Sequence, residues 1–111
     1  MRFLFLVFML SGSFIAGAQL QIGSGAQVQL SGNVQLTLNN TDFINNGSFS
    51  ASTGSVYFTG SSANAISGTQ NIQFYNLVLN KNAGVNLSLQ RNIAISNQLQ
   101  FTQGLFNLNT Y

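Results

Sequence analysis

Only four side chains in this 111-residue chain carry a formal charge: Arg2, Asp42, Lys81 and Arg91. Any chemistry must be built from these and from hydroxyls and amides. There is no His, so the commonest acid/base group and the usual nucleophile–base triads are missing. There is no Cys, which removes thiolate catalysis, disulfides and Cys-based metal sites. A glycosidase normally uses two carboxylates and a calcium site usually several; Asp42 is the sole acid. It lies in "NNTDFINNG", a turn-like stretch in which a carboxylate hydrogen-bonds backbone. Lys81 in "LNKNAG" and Arg91 in "LQRN" read as loop residues exposed to solvent. A Ser–Lys nucleophile pair needs a serine that local sequence singles out, and none is. "GSG" at 23–25 lacks the rest of a phosphate-loop fingerprint. The expectation is a non-enzyme: no catalytic residues, no cofactor and no metal.

Binding chemistry is sparse as well. The formal net charge is +2. Without Arg2 the chain keeps about one net positive charge, and nucleic acid requires a clustered basic face. Tyr57, Phe43 and Tyr75 read as exposed rings able to stack on sugars, with Tyr57 and Tyr75 the ligand-stacking candidates, so glycans or other cell-surface components are the expected partners. An outward column of Thr37, Thr59, Asn80 and Thr102 has the makings of a water-ordering array. Thr favouring an exposed strand face is the simpler account.

The stretch 1–18 is a separate object. "MRFLFLVFMLSGSFIAGA" has a basic residue, an apolar run from Phe3 to Leu10, and small residues ending in Ala16-Gly17-Ala18. That order is a signal peptide cleaved between Ala18 and Gln19. The run is short beside the roughly 20 residues of a membrane span, so membrane contact is expected only through an uncleaved leader. The product is expected to be exported, to the cell surface or the extracellular space.

Residues 19–111 show what must position the rest. Val34/Leu36, Val56/Phe58, Leu77/Leu79 and Leu99/Phe101 recur at sequence steps of 22, 21 and 22. Val28/Leu30, Phe49/Ala51, Ile72/Phe74 and Ile93/Ile95 recur at 21, 23 and 21. A third column, Ile22, Ile44, Ile66, Leu87 and Leu108, has steps of 22, 22, 21 and 21. Spacing of two within a pair puts both residues on one face of a strand. Gly, Asn and Ser between the pairs make turns. Three short strands per repeat describe one rung of an all-β solenoid like a parallel β-helix, with rungs of 21–22 residues. About four rungs and part of a fifth fit residues 19–111. Stacking at about 4.8 Å turns the columns into a continuous core. Asn, Gln, Ser and Thr outside can stack as hydrogen-bonding ladders, a geometry that like charges would oppose. An antiparallel sandwich is the competing architecture, but it needs no fixed period.

From Gly54 to Thr110 the elements "SVYFTG", "ISGT", "FYNLVLNKNAGVNL" and "NQLQFTQGLFNL" resemble repeats of large secreted and cell-surface proteins of Bacteroidetes. The resemblance implies a β-solenoid surface protein, often a cargo of type IX secretion, and is unspecific for activity. The sequence stops at Tyr111 in mid-rung, directly after "GLFNLNT" and without a polar cap, so the expectation is an N-terminal fragment of a longer repeat protein. The rival expectation is a complete chain that pairs end to end through its open last rung. The functional expectation is a structural or adhesive module without catalysis. The alternative is a carbohydrate-binding or polysaccharide-processing module whose active part lies beyond residue 111.

Overall fold

The computed structural model describes residues 18–108, so Arg2, Ala16 and nearly all of the expected leader lie outside the described residues. Eleven strands follow one another: β1 (Ala18–Ile22), β2 (Gln27–Leu30), β3 (Gln35–Asn39), β4 (Thr41–Asn45), β5 (Ser48–Ala51), β6 (Ser55–Gly60), β7 (Asn64–Gly68), β8 (Ile72–Lys81), β9 (Asn86–Leu89), β10 (Ile93–Gln103) and β11 (Leu105–Asn107). Among the described residues every strand pairing is parallel. Parallel neighbours cannot be joined by hairpins. The chain instead climbs one rung per circuit, and the result is a β-solenoid of about four turns, not a sandwich.

Three faces stack. The first is β1-β4-β7-β9-β11. The second joins β2, β5 and the opening halves of β8 and β10; the third joins β3, β6 and their closing halves. β8 and β10 turn the corner between these two faces without a break, which is why both are long.

Period-two alternation explains the inward sides. The column Val28/Leu30, Phe49/Ala51, Ile72/Phe74, Ile93/Ile95 stacks as its spacing predicts. On the third face the stacked pairs are Leu36/Leu38, Val56/Phe58, Leu77/Leu79 and Leu99/Phe101. The first of these corrects the expected Val34/Leu36. The corner between Leu30 and Leu36 is one residue longer than the corner between Ala51 and Val56, and the extra residue swings Val34 outward to 42% exposure. The expected third column does not form. Leu20, Phe43, Ile66 and Leu89, evenly spaced along the sequence, stack on the first face, and Ile22 pairs with Asn45. The Thr column dissolves too. Thr37 stacks on Tyr57, Thr59 lies between Asn39 and Asn80, and Thr102 falls in a register shift between Phe101 and Gln103.

The core is aromatic at its centre. Phe43 from the first face meets Phe49, Phe58 and Phe74 from the other two, with ring centroids 5.1, 6.4 and 6.2 Å away. Edge and tilted contacts suit the ring quadrupoles. Phe43 is wholly buried, which corrects its reading as an exposed ring. It sits next to Asp42 in an alternating strand, so the two point to opposite sides.

One corner demands glycine. Gly68, at φ +119°, pairs with Asn45, and a Cβ there would run into the Asn45 backbone. Positive φ and a backbone collision act together. Gly68→Ala is expected to lower stability by about 2–4 kcal/mol, read from the urea midpoint. Gly25→Ala has a similar φ of +84° but open space around it, and should cost only about 1 kcal/mol.

Candidate functional site

The corner that ends the third face contains the chain's one dense cluster of reactive side-chain types among the described residues. Lys81 closes β8 and pairs with Gly60 one rung earlier. Gly60 and Gly104 occupy the same corner in the rungs on either side of Lys81, with φ of 110° and 111°. A Cβ on Gly104 would come 3.1 Å from the Lys81 Cβ. Lys81 is thus enclosed, and only 1% of it is exposed. This overturns its reading as a solvent-exposed loop residue. The sequence "NLVLNK" ends a strand whose alternation turns residue 81 inward, at a position where the other rungs have only glycine or Asn40.

The Lys81 Nζ donates to three acceptors: Thr59 O at 3.0 Å, Ser62 O at 3.0 Å and Asn64 Oδ1 at 2.8 Å. Asn64 Nδ2 in turn donates to Asp42 Oδ1 at 2.9 Å, and Ala65 N donates to the same oxygen at 3.1 Å. The three side chains form a line: amine, carboxamide, carboxylate. Asp42 therefore does hydrogen-bond backbone, but from within β4 and across to the next rung, not within a turn. Desolvation by burial pushes the Lys81 pKa below its ordinary value, and the nearby Asp42 carboxylate opposes that shift. Ser62 offers Lys81 its carbonyl, so this contact is not the Ser–Lys nucleophile geometry. The loop under Lys81 is held from the other side too. Asn40, at φ 54°, accepts from Ser61 N at 2.7 Å and Ser62 N at 2.8 Å.

The remaining polar side chains bind rung to rung. Asn76 Nδ2 donates to Ser55 Oγ and Asn97 Nδ2 donates to Asn76 Oδ1, at 3.1 and 2.7 Å, which makes a ladder across three rungs. Thr59 Oγ1 donates to Asn39 Oδ1. Arg91 lies in the bend before β10, as its sequence suggests, and its Nε donates to Asn71 Oδ1 at 3.2 Å. Ala18 and Gln19, the residues flanking the expected cleavage point, pair with Thr41 and Asp42 in β1. Cleavage there would cost β1 one pairing.

Tyr75 and Tyr57 separate in space. Tyr75 lines a shallow open groove of about 450 Å³ at the corner between the second and third faces, with Asn33, Gln35, Thr53, Ser55 and Asn76. Its ring is partly buried against the core. Tyr57 stands outside this groove, in the outward column between Thr37 and Val78. At the β10 and β11 end, Leu99, Phe101 and Leu105 are 44, 52 and 51% exposed, and the rings of Phe101 and Phe106 meet at 5.6 Å. Among the described residues there is no group of three or more acids, His or Cys able to hold a metal. No family model, curated protein or solved structure matches the chain.

Proposed function

We propose that this chain is an exported structural or adhesive module, a stalk-like β-solenoid with no catalytic turnover of a substrate. The observation that supports it most is where the polar chemistry goes. Asp42, Lys81 and Arg91 each bond to a neighbouring rung, as do the Asn, Ser and Thr ladders. Nearly everything able to act on a substrate acts on the next rung instead. Such a body adds stability rung by rung and presents regular stacked faces. The test is fractionation of cells making the full chain. The protein is expected outside the cytoplasm with Gln19 as its first residue. Recovery from the cytoplasm with Met1 intact would refute export.

The Tyr75 groove favours a second reading, carbohydrate binding. An aromatic wall beside amides and hydroxyls is suitable chemistry for a sugar ring and its hydroxyls. On a glycan array a purely structural stalk predicts no saturable binding. Saturable binding that falls at least about tenfold in Tyr75→Ala, a loss of about 1.4 kcal/mol, and persists in Tyr57→Ala would put the carbohydrate reading first.

A further inference from the structure

The amine, carboxamide and carboxylate at the Lys81 corner are poised for a reaction with one another. We propose that Lys81 and Asn64 become covalently joined by an isopeptide bond between Lys81 Nζ and Asn64 Cγ, with Asp42 assisting the departure of Asn64 Nδ2. This inference stands apart from export and adhesion, since it concerns only the chain's own residues.

Geometry comes first. Nζ lies 2.8 Å from Asn64 Oδ1, the oxygen bonded to the carbon it would attack. Burial withholds other conformations from the lysine, and two groups held this way react as if at very high concentration. The carboxamide cannot be flipped without loss. Its oxygen faces a donor and its nitrogen faces the Asp42 carboxylate, 2.9 Å away. The two carbonyls matter as well. A neutral amine has two N–H groups, which Thr59 O and Ser62 O can accept. With those two bonds kept, the lone pair is left on the Asn64 side, and attack requires Nζ to shift from Oδ1 onto the face of Cγ. Desolvation lowers the Lys81 pKa and so raises the share of that neutral form.

The step balances without a co-reactant. The Nζ lone pair forms a bond to Asn64 Cγ, and the bond from Cγ to Nδ2 breaks. One Nζ proton passes to Nδ2, which leaves as ammonia, and the Asp42 carboxylate hydrogen-bonded to Nδ2 stabilises the positive charge that nitrogen takes on. One amide replaces another, and nothing is oxidised or reduced. Asn64 begins the third rung and Lys81 ends it, 17 residues on. The bond therefore closes one full turn of the coil into a covalent ring.

The experiment uses the full chain, purified, incubated at mildly alkaline pH, then denatured and digested. Intact mass alone is insufficient, because an N-terminal Gln19 also loses ammonia on cyclisation. Trypsin should fail to cut after Lys81. Chymotrypsin, cutting between the two residues at Phe74, Tyr75 or Leu77, should release a joined pair of peptides whose mass is their sum less one ammonia. Lys81→Arg should give no joined pair. Asp42→Asn, checked for an unchanged far-UV spectrum, should form it about 100-fold more slowly. The rate should rise with pH and level off at a value below 10.5, where the buried amine is already neutral. Complete cleavage after Lys81 in the incubated chain, with unmodified Asn64, would overturn the bond. Equal rates in folded Asp42→Asn would overturn the role of Asp42.

Discussion

Phe43→Ala is expected to lower stability by about 3–5 kcal/mol, the largest single effect in the chain. Phe43 is the hub of the aromatic cluster. It alone among the four rings comes from the first face, and it contacts all three others. Of the other contacts, Phe49 with Phe74 stays within the second face, and Phe58 with Phe74 joins the second face to the third. Truncation at Phe43 therefore empties the space that holds the first face against the rest. The three remaining rings cannot all move in, since each is fixed by its own strand. Urea unfolding should show a lower midpoint with little change in slope. Phe43→Leu should recover part of the loss, because it refills much of the volume. Tyr57→Ala, on the outside, should shift stability by about 0.5 kcal/mol or less. A Phe43→Ala effect of similar size to Tyr57→Ala would contradict the packing.

Asn45→Leu should cost about 3 kcal/mol although leucine is the more apolar residue and Asn45 is fully buried. Asn45 holds a corner together. Its Nδ2 donates to Gln70 O and Asn71 O at 3.4 and 3.1 Å, and its Oδ1 accepts from Gly47 N at 3.2 Å. Leucine would bury well beside Ile22, which stacks under this position. It would also leave three backbone groups without these partners on the side that faces the fully buried Asn45. Each such group costs about 1–3 kcal/mol, so the loss exceeds the gain from burial. Thermal unfolding is the check, with Asn46→Leu as the comparison. Asn46 is partly exposed, and its Oδ1 accepts from Thr69 N and Thr69 Oγ1. Its loss is expected to cost about 1 kcal/mol. If Asn45→Leu were neutral or stabilising, the corner would not depend on that side chain.

Asn45 also shows where sequence reading stops. The repeat, the three strands per rung and the second-face column are legible because period two forces Val28, Phe49, Ile72 and Ile93 to one side. The first face is harder. Its steps are long from Leu20 to Leu89 and then short, since Leu105 pairs with Asn86 and follows it closely in the chain. An apolarity search under a steady period selects Ile44, whereas the structure turns Asn45 inward because its amide can serve the corner backbone. Lys81 fails for the same reason. Charge argues for exposure, but three oxygens from the preceding corner and a line to Asp42 exist only once rungs stack. Asp42 and Asn64 are 22 residues apart, one rung. The repeat length was thus the one sequence signal that could have brought them together. The Ser55–Asn76–Asn97 ladder, by contrast, follows that period at 21 residues per step and matches the expected role of the polar side chains.

The measurement that tests the central claim, an exported solenoid module, is N-terminal sequencing of the protein recovered from cell fractions after expression of the full chain. The account predicts a chain outside the cytoplasm that starts at Gln19. A cytoplasmic chain that still starts at Met1 would contradict it.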